Sequence, residues 1–234
     1  MAPAGPGLEP PPPPPAPAPA PPPAAPADLA VSVRPAAGLL ELRQVARLRA
    51  EAYYADDRSR FAESFKRQFV AQEVDSLLQR TAPRAARAPQ CDCLVALDAS
   101  GRVVGCIDVR VPAAATGMPA AGVPAGEAGG AYLLNVVVDE DARGRGVGRA
   151  LMRSAMARAV GVWGAARLFT HVEAGNDVAA ALYRGCGFTD HSGTGGLAGA
   201  TTLGRLLLLV AEAEGVDTSV ASGGEPAAPA PAAA

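Results

Sequence analysis

A glycine- and arginine-rich turn stands where the sequence passes from a predicted strand into a predicted helix. Its six residues are Arg143-Gly-Arg-Gly-Val-Gly148, and apolar residues at helical spacing begin at Val147. Glycines let a backbone approach an anion closely, and the first N–H groups of a helix lack partners within the helix and lie at the positive end of its dipole. The turn is therefore a candidate phosphate-binding site.

Two well-known phosphate-binding motifs do not fit this turn. A dinucleotide-binding fingerprint needs a glycine where Arg149 stands and an acid about 20 residues further on, where Arg167 and Leu168 lie. A P-loop needs Gly-Lys-Ser/Thr at the helix start, and the sole lysine of the chain is Lys66. The pattern that remains, Arg-x-x-Gly-x-Gly over residues 143–148, is also compatible with an ordinary helix start.

Three side chains further along the chain are candidates for proton transfer. His171 and Glu173 lie two apart on a predicted strand and so point to the same side of it. An imidazole of pKa ~6.5 suits a general base, directly or through water, and a phenol of pKa ~10 such as that of Tyr183 can donate a proton. Each also has a structural interpretation: a histidine at a strand end, a surface charge, and a tyrosine packed on an apolar helix face.

A sheet and its flanking helices are needed to bring these residues together. Apolar patterning predicts strands at 29–33, 91–97, 103–109, 132–138, 168–172 and 206–210, and helices at 40–54, after Arg58, at 147–160 and at 176–186. Strands first and strand-helix alternation afterwards favour an α/β fold with one mixed sheet and helices on its faces. The run 132–138 is typical of a central strand buried on both faces. The phenylalanines of the second helix are interpreted as packing residues.

A single domain between low-complexity ends is expected from the length of 234 residues. We assign residues 28–215 to this domain and residues 1–27 and 216–234 to disordered tails rich in Pro and Ala. The Gly/Ala/Pro stretch 113–130 reads as a mobile loop inside the domain. The first tail lacks the Ser and Arg content that is typical of a transit peptide.

Composition excludes several classes of partner. With 21 basic and 23 acidic residues and no basic run, the chain is expected to have no nucleic-acid partner. Apolar runs stay below the length of about 18 residues that a membrane-spanning helix needs, so no membrane association is expected. The cysteines lack metal-ligand spacing and are interpreted as free thiols of a reducing compartment, with no metal site. They are Cys91, Cys93, Cys106 and Cys186.

Two motifs, in their order and spacing, resemble the GNAT superfamily of N-acetyltransferases. The Arg-x-x-Gly-x-Gly turn follows a strand, and a later segment reads Asn176-Asp-Val-Ala179-Ala-Ala-Leu-Tyr183-Arg-Gly-Cys-Gly187-Phe188. Further segments are similar to the plant and algal plastid branch: Tyr132-Leu-Leu-Asn-Val-Val-Val138, Glu51-Ala-Tyr-Tyr54, Phe61-Ala-Glu-Ser-Phe-Lys-Arg-Gln-Phe69 and Thr170-His-Val-Glu-Ala-Gly-Asn176. The resemblance covers residues 28–212 except the loop 113–130.

This resemblance implies a cofactor site for acetyl-CoA, without a metal. The backbone of Val136, Val137 and Val138 would hydrogen-bond the pantetheine arm, and one N–H of this strand would face the developing oxyanion. Asn176 would contact the cofactor, although the role of helix N-cap is sufficient to explain it. The pyrophosphate would be held by Arg143, Gly144, Arg145, Gly146, Val147, Gly148 and Arg149.

The resemblance also implies direct acetyl transfer to a protein amine, either an N-terminal α-amine or a lysine ε-amine. Such an amine, of pKa ~7.7 to 10.4, is partly or wholly protonated at neutral pH, so a base is needed. Related ribosomal-protein acetyltransferases carry a glutamate in the slot of His171, so His171 could act as this base. Glu173, on the same side of the strand, is the second candidate base. Tyr183 matches the family's proton donor to the leaving thiolate.

Two other functions stay open at this point. Acetylation of a small arylalkylamine or another metabolite fits equally well, because the cofactor half of such a fold does not define the acceptor. A noncatalytic CoA-binding module is the alternative outside the enzymes. The resemblance implies a chloroplast location, and a cytoplasmic one is the alternative.

Overall fold

The computed structural model describes residues 27–83, 90–112, 123, 125–127, 129–191 and 206–222. These ranges contain one seven-stranded sheet with flanking helices. None of their helices has the length and apolar character that crossing a membrane requires. The helices are α1 (Gly38–Tyr53), α2 (Ala62–Thr81), α3 (Val147–Gly161) and α4 (Asp177–Arg184). The strands are β1 (Ser32–Pro35), β2 (Gln90–Leu97), β3 (Val103–Val111), β4 (Ala131–Val138), β5 (Arg167–Glu173), β6 (Thr189–Asp190) and β7 (Leu206–Glu212).

The sheet is mixed, which confirms the predicted fold class. Its strand order is β1-β2-β3-β4-β5-β7-β6. The central pair, β4 with β5, is parallel, and the other pairs are antiparallel. A parallel pair needs a crossover connection, and α3 supplies it. The glycine-rich turn before α3 therefore lies at the carboxyl end of β4, in the middle of the sheet.

Helices cover the sheet on both faces. On one face, which we call the α1–α2 face, Val45 and Leu77 pack against Val95 and Cys106. On the other, the α3–α4 face, Leu151 of α3 packs with other buried side chains against β2, β3, β4 and β5. Alternation of side chains along the strands assigns each strand residue to one of the two faces.

The two central strands separate after two paired positions. Within the described strands, β4 pairs with β5 only at Ala131↔Leu168 and Tyr132↔Phe169. Just before this joint, a Cβ on Gly130 would lie 2.7 Å from the Arg167 carbonyl oxygen, so only glycine allows the close approach. Beyond the joint, the strands diverge and leave an opening through the sheet, which we call the β4–β5 cleft.

This divergence corrects the prediction that 132–138 is buried on both faces. The first three residues of β4 are buried, whereas Asn135 is exposed and Val136 to Val138 are half-buried. The β-branched run has the composition of a buried central strand, but its second half lines the cleft. Hydrophobic patterning reports apolar side chains and does not report the loss of a neighbouring strand.

Other differences are local. The two-residue strand β6 has no sequence pattern of its own, and β1 begins three residues later than predicted. The phenylalanines around the start of α2 are not core residues: Phe61 is 50% and Phe65 44% exposed. Phe65 stacks with Tyr54, and the rings of Phe61 and Phe65 lie 6.3 Å apart at an angle of 48°. The assigned C-terminal tail, residues 216–234, begins with ordered residues, since Val216 packs against the core and Ser219–Ser222 form a 3-10 turn. Residues 1–26 and 223–234 of the two tails, and residues 113–122, 124 and 128 of the predicted loop, lie outside the described residues.

Candidate active site

The glycine-rich turn adopts a conformation that its sequence explains. Gly144 and Gly146 have φ of 71° and 78°, in the left-handed region that favours glycine. Gly146 is the N-cap of α3, so the free N–H groups of the first helical turn begin here. The Arg143 Nε donates to the Val138 carbonyl oxygen at 3.2 Å, which ties the turn to the end of β4. The geometry is that of an anion-binding helix start.

A short upstream segment, residues 27–29, lies against this turn. The Leu29 N–H donates to the Arg145 carbonyl oxygen at 2.9 Å, and the Arg145 Nε donates to the Ala27 carbonyl oxygen at 3.5 Å. The Asp28 Oδ1 stands 3.0 Å from the point that a Cβ of Gly146 would occupy. No pattern in the sequence connects this segment with the turn, because the contact is made between residues more than a hundred positions apart.

A β-bulge interrupts β4 where the cleft opens. Leu134 pairs with Asp108 and Val137 with Cys106, so Asn135 and Val136 together stand opposite one residue of β3. Such a bulge bends the strand and leaves backbone groups unpaired. Val136 and Val138 then pack on the α3–α4 face and Val137 on the α1–α2 face. The three valines predicted to bind the pantetheine arm through their backbone thus line the cleft.

Tyr183 lies on the α3–α4 face of the cleft. It is a buried residue of α4, and its hydroxyl hydrogen-bonds the side chain of Thr170 on β5. Burial raises the pKa of Tyr183 above its usual value, so the hydroxyl is protonated at neutral pH and able to donate. Asn176 places this helix, since its side chain accepts a hydrogen bond from the Ala179 N–H at 3.0 Å. Asn176 is therefore a helix N-cap, which is the alternative to a cofactor contact that the sequence offered.

His171 lies on the opposite, α1–α2 face of the sheet. It has a hydrogen-bonding partner that no local sequence pattern indicates. The Tyr132 hydroxyl and the His171 Nδ1 are hydrogen-bonded, and their rings lie 5.6 Å apart. Tyr132 belongs to a small buried cluster with Phe169 and Leu208 on the α1–α2 face. Glu173 lies at the exposed end of β5. The segment 132–138 drew attention to Tyr132 as part of the cofactor strand. Only the register of β4 against β5 shows that Tyr132 lies next to His171.

The cleft thus carries a phenol on each face of the sheet. Burial raises the pKa of Tyr132 to about 12, and the nearby Tyr183 adds to the rise. Chemically, the arrangement offers a buried proton donor on one face and a tyrosine–histidine pair able to accept a proton on the other.

Within the described ranges, no three His, Cys, Asp or Glu side chains lie close enough together to hold a metal ion. The four cysteines are free thiols, two of them buried in β2 and β3.

Comparisons with known proteins agree with this geometry. Residues 49–188 match the model of the acetyltransferase (GNAT) family. No curated protein sequence matches the chain. Among solved structures, a chimera of the spermidine N-acetyltransferase SpeG from Vibrio cholerae and hSSAT is 17% identical, with a TM-score of 0.51, over 79% of this chain and 96% of that one. A candidate phosphinothricin N-acetyltransferase is 20% identical, with a TM-score of 0.50, over 78% of this chain and 98% of that one. At these identities the likeness concerns the fold.

Proposed function

Since the chain belongs to the acetyltransferase (GNAT) family and is an acetyl-CoA-dependent N-acetyltransferase, we propose that it acetylates a protein amine by direct transfer. The acceptor would be an N-terminal α-amine or a lysine ε-amine. The observation that carries the proposal is the β4–β5 cleft, with the Tyr183 hydroxyl on one face of the sheet and the Tyr132–His171 pair on the other. Donor and acceptor then approach the cleft from opposite faces.

The turn and β4 would hold the cofactor. The pyrophosphate is assigned to the turn over residues 143–149, where left-handed glycines and the start of α3 leave N–H groups directed outward. The pantetheine arm is assigned to the half-buried backbone of Val136 to Val138. The charges of Arg143, Arg145 and Arg149 add attraction for an anion.

Proton transfer divides between the two faces. On the acceptor side, the amine loses a proton to the Tyr132–His171 pair as its nitrogen bonds to the acetyl carbon. With a pKa raised to about 12, the Tyr132 hydroxyl stays protonated, so it either orients His171 or takes the amine proton while passing its own to the His171 Nδ1. On the opposite face, the carbon–sulfur bond breaks and the departing thiolate takes a proton from Tyr183.

An aromatic surface supports a protein acceptor over a small one. Tyr53 and Phe69 stack at 5.7 Å, next to the exposed Phe61 and Phe65, where α1 ends and α2 begins. These helices cover the same face of the sheet on which Tyr132 and His171 lie. Contiguous exposed aromatic residues are typical of a surface that binds another chain. A polypeptide bound on this face of the sheet has enough surface to cover them, and a small amine does not.

The direct test is acetyl transfer by the full chain to a panel of peptide N-termini, lysine peptides, arylalkylamines and polyamines. We expect peptide amines to be acetylated with the highest kcat/KM. Tyr183→Phe should lower kcat by about 10²-fold or more while CoA binds with unchanged Kd, because one proton donor is lost and no binding group is removed. Tyr132→Phe should lower kcat in the same assay.

Val178→Ala is the matched control, because Val178 lies on the exposed side of the same helix as Tyr183. It should keep the native kcat. Transfer confined to arylalkylamines or polyamines would replace the protein acceptor by a small molecule. CoA binding without transfer to any acceptor would leave only a noncatalytic binding module.

A further inference from the structure

The bulge in β4 depends on one residue in an uncommon conformation. Asn135 has φ of 56°, the left-handed region, and is the one non-glycine residue with positive φ among those described. Side chains with a Cβ disfavour this region, and asparagine tolerates it better than most. The residues that follow directly are the three valines assigned to the cofactor. The conformation of Asn135 therefore decides where the cofactor-facing backbone lies.

A buried carboxylate holds the side chain of Asn135. The Asn135 Nδ2 donates to the Asp108 Oδ2 at 2.9 Å, and Asp108 is 0% exposed. The Asp108 Oδ1 accepts from the Arg49 Nη2 at 2.7 Å, and its Oδ2 accepts from the Arg80 Nη2 at 3.2 Å. Glu73 joins the two arginines, at 2.6 Å from Arg49 and 2.7 Å from Arg80. The bulge is thus connected through one carboxylate to both α1 and α2.

Packing alone does not explain this network. Arg49 is only 5% exposed, and a buried ion pair of this kind often contributes little net stability compared with apolar residues of the same size. Its charges balance, two arginines against two acids, but the Nε atoms of Arg49 and Arg80 are buried without a hydrogen-bond partner. The Asn135 side chain, in contrast, belongs to an exposed residue in the cleft, and burial cannot direct it. The hydrogen bond to Asp108 does.

We infer that Asn135, fixed by Asp108, is a positioning residue that holds the β4 bulge and thereby the register of Val136 to Val138 at the cofactor site. The inference rests on the proposed function, because it concerns the strand to which the pantetheine arm is assigned. Asn135 acts through the backbone that follows it and takes no part in proton transfer. The network beneath it belongs to the acceptor-side helices, so α1 and α2 help to shape the cofactor strand.

The test uses Asn135→Gly, which keeps the left-handed conformation accessible and removes the amide. We expect the Kd for CoA and the KM for acetyl-CoA to rise about 10-fold, the worth of a hydrogen bond to a charged group, while the KM for the acceptor stays the same. A purely structural role would lower the melting temperature and leave these constants unchanged. An unchanged Kd for CoA in Asn135→Gly would overturn the inference.

An exchange of the two side chains provides the rescue. Asn135→Asp alone places two carboxylates together and should weaken CoA binding at least as much as glycine does. Combined with Asp108→Asn, it restores a donor and an acceptor with reversed polarity, and CoA affinity should recover in part. Because Asp108→Asn also removes the partner of Arg49 and Arg80, CoA binding is compared below the melting transition of the double variant. A folded double variant that binds no better than Asn135→Asp would show that the pair does not position the strand. Because CoA binding needs no acceptor, this result is independent of whether any acceptor is found.

Discussion

Asp108 is a charged side chain without solvent exposure, and its ionisation is therefore linked to folding. Burial acts to raise its pKa, but the guanidiniums of Arg49 and Arg80 and the Asn135 amide outweigh burial and lower the pKa to about 2. The carboxylate is thus ionised in the folded protein at every pH at which an unfolded aspartate, of pKa ~3.9, would be. Its contribution to stability is complete above the unfolded value and is lost as the pH falls towards the folded one.

Asp108→Asn should therefore destabilise the protein in a pH-dependent way. Near neutral pH the variant leaves Arg49 and Arg80 without their carboxylate, and we expect the free energy of unfolding to fall by about 3 to 5 kcal/mol. The difference between native chain and variant should narrow as the pH falls from about 4 towards 2, because the native carboxyl then becomes protonated. Urea unfolding at a series of pH values measures this. A difference that is constant with pH would show that the charge of Asp108 is irrelevant to stability.

At the scale of an element, the start of α3 combines a conformational requirement with a binding role. Gly146→Ala puts a Cβ into the left-handed region and within 3.0 Å of the Asp28 carboxylate. Gly164→Ala, in the turn after the same helix, has a similar φ of 66° but open space around the new Cβ. Both variants should lose about 1 kcal/mol of stability through backbone strain.

Only one of these variants should affect the cofactor. We expect Gly146→Ala to raise the Kd for CoA about 10-fold, equivalent to about 1.4 kcal/mol, because the N–H groups at the helix start are displaced. Gly164→Ala should bind CoA like the native chain. Calorimetric titration with CoA, next to thermal unfolding of both variants, separates strain from binding. Equal affinities in the two would remove the anion site from this turn.

Elements with a strong period were predictable, and the contacts between them were not. Helix α3 was predicted at 147–160 and lies at Val147–Gly161, because its apolar spacing is regular and glycines precede it. The turn, Tyr183 and the valines of β4 were named from motifs that are local in sequence. The partnership of Tyr132 with His171 and the bulge at Asn135 depend on the register of neighbouring strands, which no local pattern encodes. The contact of residues 27–29 with the turn escaped prediction for the same reason.

At the scale of the whole molecule, bound cofactor should stabilise the contact between two parts of the sheet, strands β1 to β4 and strands β5 to β7. Because CoA would fill the cleft beyond the two paired positions, it binds only the folded arrangement. At a CoA concentration of 100 times Kd we expect the free energy of unfolding to rise by about 2.7 kcal/mol and the melting temperature by about 5 to 10 °C. Hydrogen exchange should slow most at Val136 to Val138 and at residues 170–173. Protection spread evenly over β1, β2 and β3 would place the ligand elsewhere.

In mechanical terms, the sheet consists of two parts that are joined near one end, where β4 pairs with β5. One part contains the four strands β1 to β4 and the other the three strands β5, β7 and β6. Gly130 lies at that joint, where any side chain would meet the Arg167 carbonyl oxygen and the ring of Phe169. Because a lever amplifies motion with distance from its pivot, a small displacement at the joint changes the gap at the far end of the strands by more. A side chain at residue 130 would push β4 and β5 apart at the joint. We therefore expect a methyl group at residue 130, outside the proposed cofactor and acceptor sites, to change the geometry of the cleft.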